Sequence, residues 1–258
     1  ISWVENSKFI YTHKDHQLKW NVYHGLADFA EMMFLLHVLR SKNIFIDVGA
    51  NIGIYTILAS KVVGSKSICF EPHPITHKRL IKNINLNSIE HLVKNVTKGM
   101  GSNISQKKFS NFLDNRGPLN KISTHSKNKD DITIEITTLD NEINTDDEYL
   151  VKIDVEGYEY HVLNGGKKTL QDNKLIGIII ETNLMSEKYG HSIKKISDFF
   201  KYYGLIPISY NPIKREIEII KNLEFSKNTI FIKNFDKIEH LVKQAKKFKI
   251  NTAFNKYL

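Results

Sequence analysis

Asp47, Glu71, Asp154 and Glu181 each close a short apolar run: Ile44-Phe-Ile, Ser67-Ile-Cys-Phe, Tyr149-Leu-Val-Lys-Ile and Gly177-Ile-Ile-Ile. In open α/β sheets the crevice outside the strand ends is where nucleotides bind, so acids there can face a ligand. Carboxylates buried at such an edge cost too much to serve solubility alone. A lysine, a metal or a substrate must compensate them. After Asp47 come Gly49, Asn51 and Gly53, then apolar residues at helical spacing (Ile54, Ile57, Leu58, Val62). This reads as strand, glycine turn, helix start. Gly49 removes the Cβ where the backbone bends or approaches a ligand, and Gly53 lets the helix pack on the strand. The spacing D-x-G-x-N-x-G is not the G-x-G-x-x-G that holds a pyrophosphate, and no P-loop lysine follows.

Each acid suggests a task. Glu71, followed by Pro72, can accept from both hydroxyls of a ribose in charge-assisted geometry. Lys152-Ile-Asp154-Val-Glu156-Gly157-Tyr-Glu159 sets two acids at a buried strand end. Asp154 is the first candidate to contact a cofactor or an attacking hydroxyl, Glu156 the second; Glu156 could instead cap the next helix. Glu159 reads as a solvated helix residue. Glu181, with Asn183, would lie on the same rim. Three carboxylates there could ligate Mg²⁺ or Mn²⁺ through oxygen. They could also share protons, leaving one with a raised pKa suited to general-base work. The metal-free reading is favoured. His73, between Pro72 and Pro74, either reaches the site or caps a helix. His161 reads as structural. Glu31 could point at the cofactor from above, and Tyr158 and Arg116 could line an acceptor pocket.

The elements that position these groups alternate. Residues 1–25 read as a hairpin on Phe9, Tyr11, Leu18, Trp20 and Val22, with a turn at His13-Lys14-Asp15-His16. Residues 25–40 read as an apolar helix with His37 in the core. A helix is expected over 74–87, a strand near 93–98, a loop at 99–103, and strand fragments around a mobile loop over 105–131, including the polar run 126–131. Strands follow at 132–139, 149–155 and 176–180, with one helix over 158–170. Ser192 caps a helix stopped by Gly204. Strands at 205–210, 216–220 and 229–233 come next, the last two as an antiparallel pair. A basic amphipathic helix over 237–248 is expected to dock on the body. Strands alternating with helices imply a mostly parallel sheet covered on both faces.

Composition bounds the class. The 258 residues suit one large domain with appendages, and 41% hydrophobic content builds a substantial core. The division expected is a capping segment over 1–40, a body over 41–235 and a C-terminal basic helix over 236–258. One cysteine, Cys69, excludes an internal disulfide and fits a reducing, cytoplasmic setting. The apolar stretch 32–39 is too short to span a bilayer, and no signal peptide is visible. The chain begins at Ile1, which reads as part of a larger multidomain chain. Net charge is +9, carried by lysine; arginine is scarce (Arg40, Arg79, Arg116, Arg215). Nucleic-acid readers usually rely on arginine with interleaved aromatics, so a solvated lysine surface is the better reading.

Asp-Val-Gly-Ala-Asn-Ile-Gly, Phe-Glu-Pro, Thr138-Leu-Asp140, Lys-Ile-Asp-Val-Glu-Gly-Tyr-Glu and Ile-Ile-Glu together resemble the FkbM family of S-adenosylmethionine-dependent methyltransferases, over about residues 31–233. The resemblance implies a Rossmann-like class I fold: a seven-stranded, mostly parallel α/β sheet with an antiparallel edge strand and helices on both faces. It implies O-methylation of hydroxyls, often on sugars, glycans or glycosylated natural products. By residue, it places Asp47, Gly49, Ala50, Asn51, Gly53, Glu71 and Pro72 around S-adenosylmethionine. Asp154 and Glu156 fall at the active centre; read from the residues themselves, Glu181 and His73 are further candidate bases. The loop 99–103 lacks the acid that often stands near the adenine; Ser102 or Asn103 would substitute. Two other readings stay open: an RNA or natural-product acceptor, and a non-catalytic binding module of the same fold. The absence of N-P-P-Y or D-P-P-Y counts against methylation of base amino groups.

Overall fold

The computed structural model describes residues 1–11, 16–110, 122, 131–182, 187, 189, 192–223, 226–251 and 256–257. His13, Lys14, Asp15, Arg116, the 126–130 run and Asn183 lie outside them. The first elements are two helices, α1 (His16–His24) and α2 (Phe29–Val38). The hairpin expected over 1–25 does not form. Ser2 and Lys8 make an isolated bridge, and Leu18, Trp20 and Val22 lie on α1. Three alternating apolar residues are degenerate, because the outer two are also one helical turn apart. Leu18 is buried, while Trp20 on another face is 62% exposed.

From Met32 to Val38 α2 is buried throughout, so it reads as apolar on all sides. His37 sits in that core, bonded through Nδ1 to the Tyr210 hydroxyl and stacked on Phe248. Its Nε2 is buried without a hydrogen-bond partner among the described residues. Burial, with Arg215 and Arg40 nearby, pulls its pKa down to about 4. The unfolded chain therefore takes up this proton first as pH falls. The stabilisation is complete above the ordinary histidine value and is lost as pH drops through about 4. Denaturant unfolding across that window should cost the natural chain ~3 kcal/mol more than His37→Gln. Parallel stability curves for the two would refute this.

The central elements follow the expected order. They are β1 (Ile44–Val48), α3 (Ile54–Ile57) continued by a π-helical turn (Leu58–Val63), β2 (Lys66–Phe70), α4 (Pro74–Leu86) and β3 (Val93–Val96). Next, β4 (Gly99–Met100), β5 (Ser105–Phe109) and β6 (Ile132–Thr137) form a separate small sheet in the order β4-β6-β5. Then come α5 (Leu139–Glu142), β7 (Tyr149–Ile153), α6 (Glu159–Asn164), α7 (Lys167–Gln171) and β8 (Leu175–Thr182). The single helix expected over 158–170 is thus two. It breaks at Gly165-Gly166, where a Cβ on Gly165 would lie 2.0 Å from the Gly101 carbonyl oxygen. Asp140 then caps α7 by accepting from the Lys168 and Thr169 N–H groups. The chain finishes with α8 (Ile193–Tyr202), β9 (Ile206–Asn211), β10 (Glu216–Ile219), β11 (Ser226–Ile232), α9 (Phe235–Lys243), β12 (Lys249–Ile250) and β13 (Lys256–Tyr257).

The main sheet has eight strands, in the order β10-β9-β11-β8-β7-β1-β2-β3, against the seven expected. Six run one way; β11 and β10 are reversed. The antiparallel pair expected from β10 and β11 is not a pair, because β9 lies between them. The reversed β11 is interior, and the added strand β10 forms the edge. The α/β, mostly parallel architecture implied by the resemblance is otherwise what the chain adopts. Apolar clusters fill both faces of the sheet. As expected, α9 docks on the body: Ile238 and Val242 are buried, and Arg40 donates to the Leu241 carbonyl. Among the described residues, no helix is long and apolar enough to cross a membrane.

Candidate active site

Strand register gathers the acids. Phe70 of β2, Val48 of β1, Ile153 of β7 and Ile180 of β8 are aligned across four parallel strands. The next residue on each is Glu71, Gly49, Asp154 and Glu181, so one row along the carboxyl edge carries three acids and the glycine.

Gly49 is left-handed (φ +81), and a Cβ there would sit 1.8 Å from the Asp154 carbonyl oxygen. Gly49 thus makes the bend expected of it, and the space of its missing Cβ is taken by the backbone of the β7 turn. Gly53 (φ +90) does not serve packing on β1 as expected; its bare Cα admits Leu80 of α4, whose Cδ1 would lie 2.5 Å from a Cβ. The Gly49 and Ala50 N–H groups both donate to the Phe70 carbonyl. Asn51, also left-handed (φ +51), donates its N–H to Glu71 Oε2 at 3.0 Å. Asp47 is buried, and its Oδ2 accepts from the Thr56 N–H (3.1 Å) and hydroxyl (2.7 Å). It fastens the start of α3. Burial, opposed by Lys152, pushes its pKa up to about 6.

Glu71 bridges two loops: Oε1 accepts from the His73 N–H at 2.9 Å while Oε2 holds Asn51. Burial pushes its carboxyl up to about 7. Each oxygen keeps further lone-pair capacity. Of the two roles open to His73, the structure places it as the N-cap of α4, with Nδ1 accepting from Thr76. Pro72 is half-buried. Ser102 and Asn103 are exposed, and the Ser102 hydroxyl donates to Asn103.

At the end of β7 stands Lys152, its side chain 3% exposed, donating to Asp154 Oδ2 at 2.7 Å. Its ammonium also lies 4.6 Å from the centre of the Tyr55 ring. Burial works against this charge, but Asp154, Asp47 and Asp28 outweigh it and strengthen its hold on the proton. Tyr55 donates to Asp28 at 3.1 Å, which ties the start of α2 to α3. Glu31, half-buried on α2, is raised by burial and by Asp28 and lowered by Lys152. Asp28 and Tyr55 were not legible as site residues, because neither belongs to a motif; the aspartate immediately before an apolar helix was the available signal.

The turn after Asp154 holds Glu156 and Gly157 in left-handed geometry, φ +54 and +102. Glu159 is not solvated as expected: it is wholly buried and accepts from the Val155 and Gly157 N–H groups. Across from it, Glu181 Oε2 is buried with no hydrogen-bond partner among the described residues. Burial first, then the charges of Asp154, Glu156 and Glu159, push Glu181 up to about 9. Asp154 and Glu156 thus lie near enough for their charges to be felt at Glu181. Beside them Tyr158 stacks on His161 (4.1 Å between ring centres) and meets Tyr189 edge-on. Among the described residues no group of three or more His, Cys, Asp or Glu is arranged to hold a metal ion.

A donor bearing a sulfonium and an ammonium fits this set. Acids outnumber the single buried lysine, Glu181 has an orphaned oxygen, and Glu71 can still receive hydroxyl donors. No curated protein sequence matches the chain. Similar solved structures include a precorrin-6y C5,15-methyltransferase from Geobacter metallireducens GS-15, at 12% identity and TM-score 0.46, covering 87% of this chain and 92% of that one. A putative rRNA-methylase from Clostridium thermocellum has 11% identity and TM-score 0.48, covering 78% and 92%. An S-adenosylmethionine-dependent O-methyltransferase from Thermotoga maritima has 11% identity and TM-score 0.42, covering 87% and 66%. The family model for the methyltransferase FkbM domain matches residues 47–206, more than half of the chain and starting at Asp47 itself. The chain belongs to the FkbM methyltransferase family, and its methyl donor is S-adenosylmethionine.

Proposed function

We propose that this methyltransferase acts on a hydroxyl oxygen, that of a sugar or glycan. The observation that carries the reading is the row formed by Glu71, Gly49, Asp154 and Glu181, with Glu156 beside it. S-adenosylmethionine, when bound, supplies a methyl group on a positively charged sulfur that is already a good leaving group. The chain's own work is alignment and removal of a proton. Glu71 receives the ribose hydroxyls; residues 49–53 give the backbone wall; Asp47 holds α3 in place and adds negative charge. Asp154, paired to Lys152 and with its side chain 33% exposed, takes the acceptor proton, with Glu156 as second candidate. Glu181, pushed up to about 9, holds its proton at neutral pH in the free chain and, ionised once the cationic donor is bound, accepts from the hydroxyl and orients it. Alignment is worth up to about 7–11 kcal/mol, and a placed base about 10²–10⁴-fold. Segments 1–40 and 236–258 are additions to the body over 41–235.

Two measurements test this. A cationic donor should make raised carboxyls ionise, so binding of S-adenosylmethionine near pH 7, where its own amino group is already charged, should release on the order of one proton. Calorimetry in buffers of differing ionisation enthalpy reads that number; zero release would remove the acids from the donor site. Labelled-methyl transfer to a panel of methyl hexosides and oligosaccharides should label oxygen. Labelling of RNA alone would end the sugar reading.

A further inference from the structure

We infer that Glu159 is a positioning residue for the acid rim, acting through Glu156. This rests on the reading above, in which Glu156 faces the acceptor. The turn between β7 and α6 must reverse within five residues, and it does so by putting Glu156 at φ +54. Left-handed backbone is unfavourable for a residue with a Cβ and persists only where its surroundings enforce it. Here the enforcement is visible. Val155 and Gly157 flank Glu156, and the N–H of each donates to the same oxygen, Glu159 Oε1, at 3.1 and 3.0 Å. Glu159 is wholly buried beneath the turn, so this clamp is shielded from water.

A solubilising glutamate in the first turn of a helix would point outward. A helix cap alone would satisfy N–H groups inside α6, whereas both donors here precede it. The clamp therefore fixes a residue whose carboxylate, like that of Glu159 itself, is felt by Glu181 and by Tyr189. Released, Glu156 would relax to negative φ and carry its carboxylate away from Glu181.

Two isosteric changes separate geometry from charge. Glu159→Gln keeps an oxygen in the same place and loses the charge. Glu159→Asp keeps the charge and falls one methylene short of the turn. The readout is the titration of the Glu181 carboxyl, followed by ¹³C NMR. Binding of S-adenosylhomocysteine, followed by calorimetry, serves as the control. Glu159 also raises Glu181 directly, by less than Glu156 does, so positioning predicts that the Gln variant titrates only a little below the natural chain. The Asp variant should titrate lower by about one pH unit or more, because a neighbouring like charge has moved off. The reverse order, or equal curves, would overturn the proposal. If the Asp variant does not fold, the Gln variant still decides: a fall of about one unit or more there means that charge, not the clamp, is what Glu159 supplies. Failure of the natural chain to bind S-adenosylhomocysteine would instead sink the donor-site reading.

Discussion

Gly49→Ala is expected to eliminate donor binding and leave the fold severely weakened. The added Cβ would lie 1.8 Å from the Asp154 carbonyl oxygen and 2.9 Å from its carbonyl carbon. Both obstacles are backbone, and both strand ends are pinned: the Asp154 N–H donates to the Val48 carbonyl, and the Gly49 N–H to the Phe70 carbonyl. No rotamer change relieves such a clash. Left-handed backbone at an alanine costs about 1–2 kcal/mol, and overpacking adds about 1–3. The sum is a large share of the ~5–15 kcal/mol typical of a folded domain. The internal control is Gly204→Ala. Its φ of +69 carries the same backbone strain, but nothing lies within 4 Å of the added atom. Gly204→Ala should lose only the strain cost in denaturant unfolding and bind S-adenosylhomocysteine normally. Equal behaviour of the two variants would mean that the contact between the β1 and β7 turns is unimportant.

The same residue marks how far the sequence can be read. Gly49 stands out because a glycine after an apolar run and an acid has few uses, and of the two expected the sharp bend is the one the backbone shows. Its neighbour, the Asp154 carbonyl, was invisible, because parallel strands 105 residues apart meet only in the folded sheet. The rim acids were legible for a simpler reason: strands that end in register put their next residues in a row. Glu159 was misread because helical periodicity describes α6 alone, and the clamp depends on the turn folding back over it. The break at Gly165-Gly166 depends on Gly101, just after β4 of the small sheet. The place of β11 inside the sheet is likewise a matter of pairing, since reversed strands look alike at an edge and within. Asp28 and Tyr55 join the site only because the start of α2 meets α3 in the folded chain.

Lys152→Met should produce the largest electrostatic effect, and its size should depend on pH. The ammonium is buried and lies 2.7 Å from Asp154. It also opposes the charges of Asp47, Glu31 and Glu181. Methionine has similar length and no charge, so packing is nearly kept while the acids lose their counter-ion. Removing one partner of a fully buried pair costs about 3–5 kcal/mol, and the 33% exposure of Asp154 puts this pair below that range. Without Lys152 the carboxyls of Asp47 and Glu31 should rise further, since each loses a charge that now lowers them. A carboxyl raised in the folded chain favours folding least at high pH, where the unfolded chain ionises freely. The penalty should therefore be full near pH 8 and shrink as pH falls through about 6, where Asp47 protonates in the natural chain. Urea unfolding at pH 8 and pH 5 measures it. A loss at pH 8 below about 1 kcal/mol, within the range of exposed pairs, would show that Lys152 does not hold the acids together. The donor adds a second readout. The sulfonium of S-adenosylmethionine, absent from S-adenosylhomocysteine, can stand in for the missing ammonium. Stabilisation by the former relative to the latter should be greater in Lys152→Met than in the natural chain. An unchanged difference would place the sulfur beyond reach of Lys152 and Asp154.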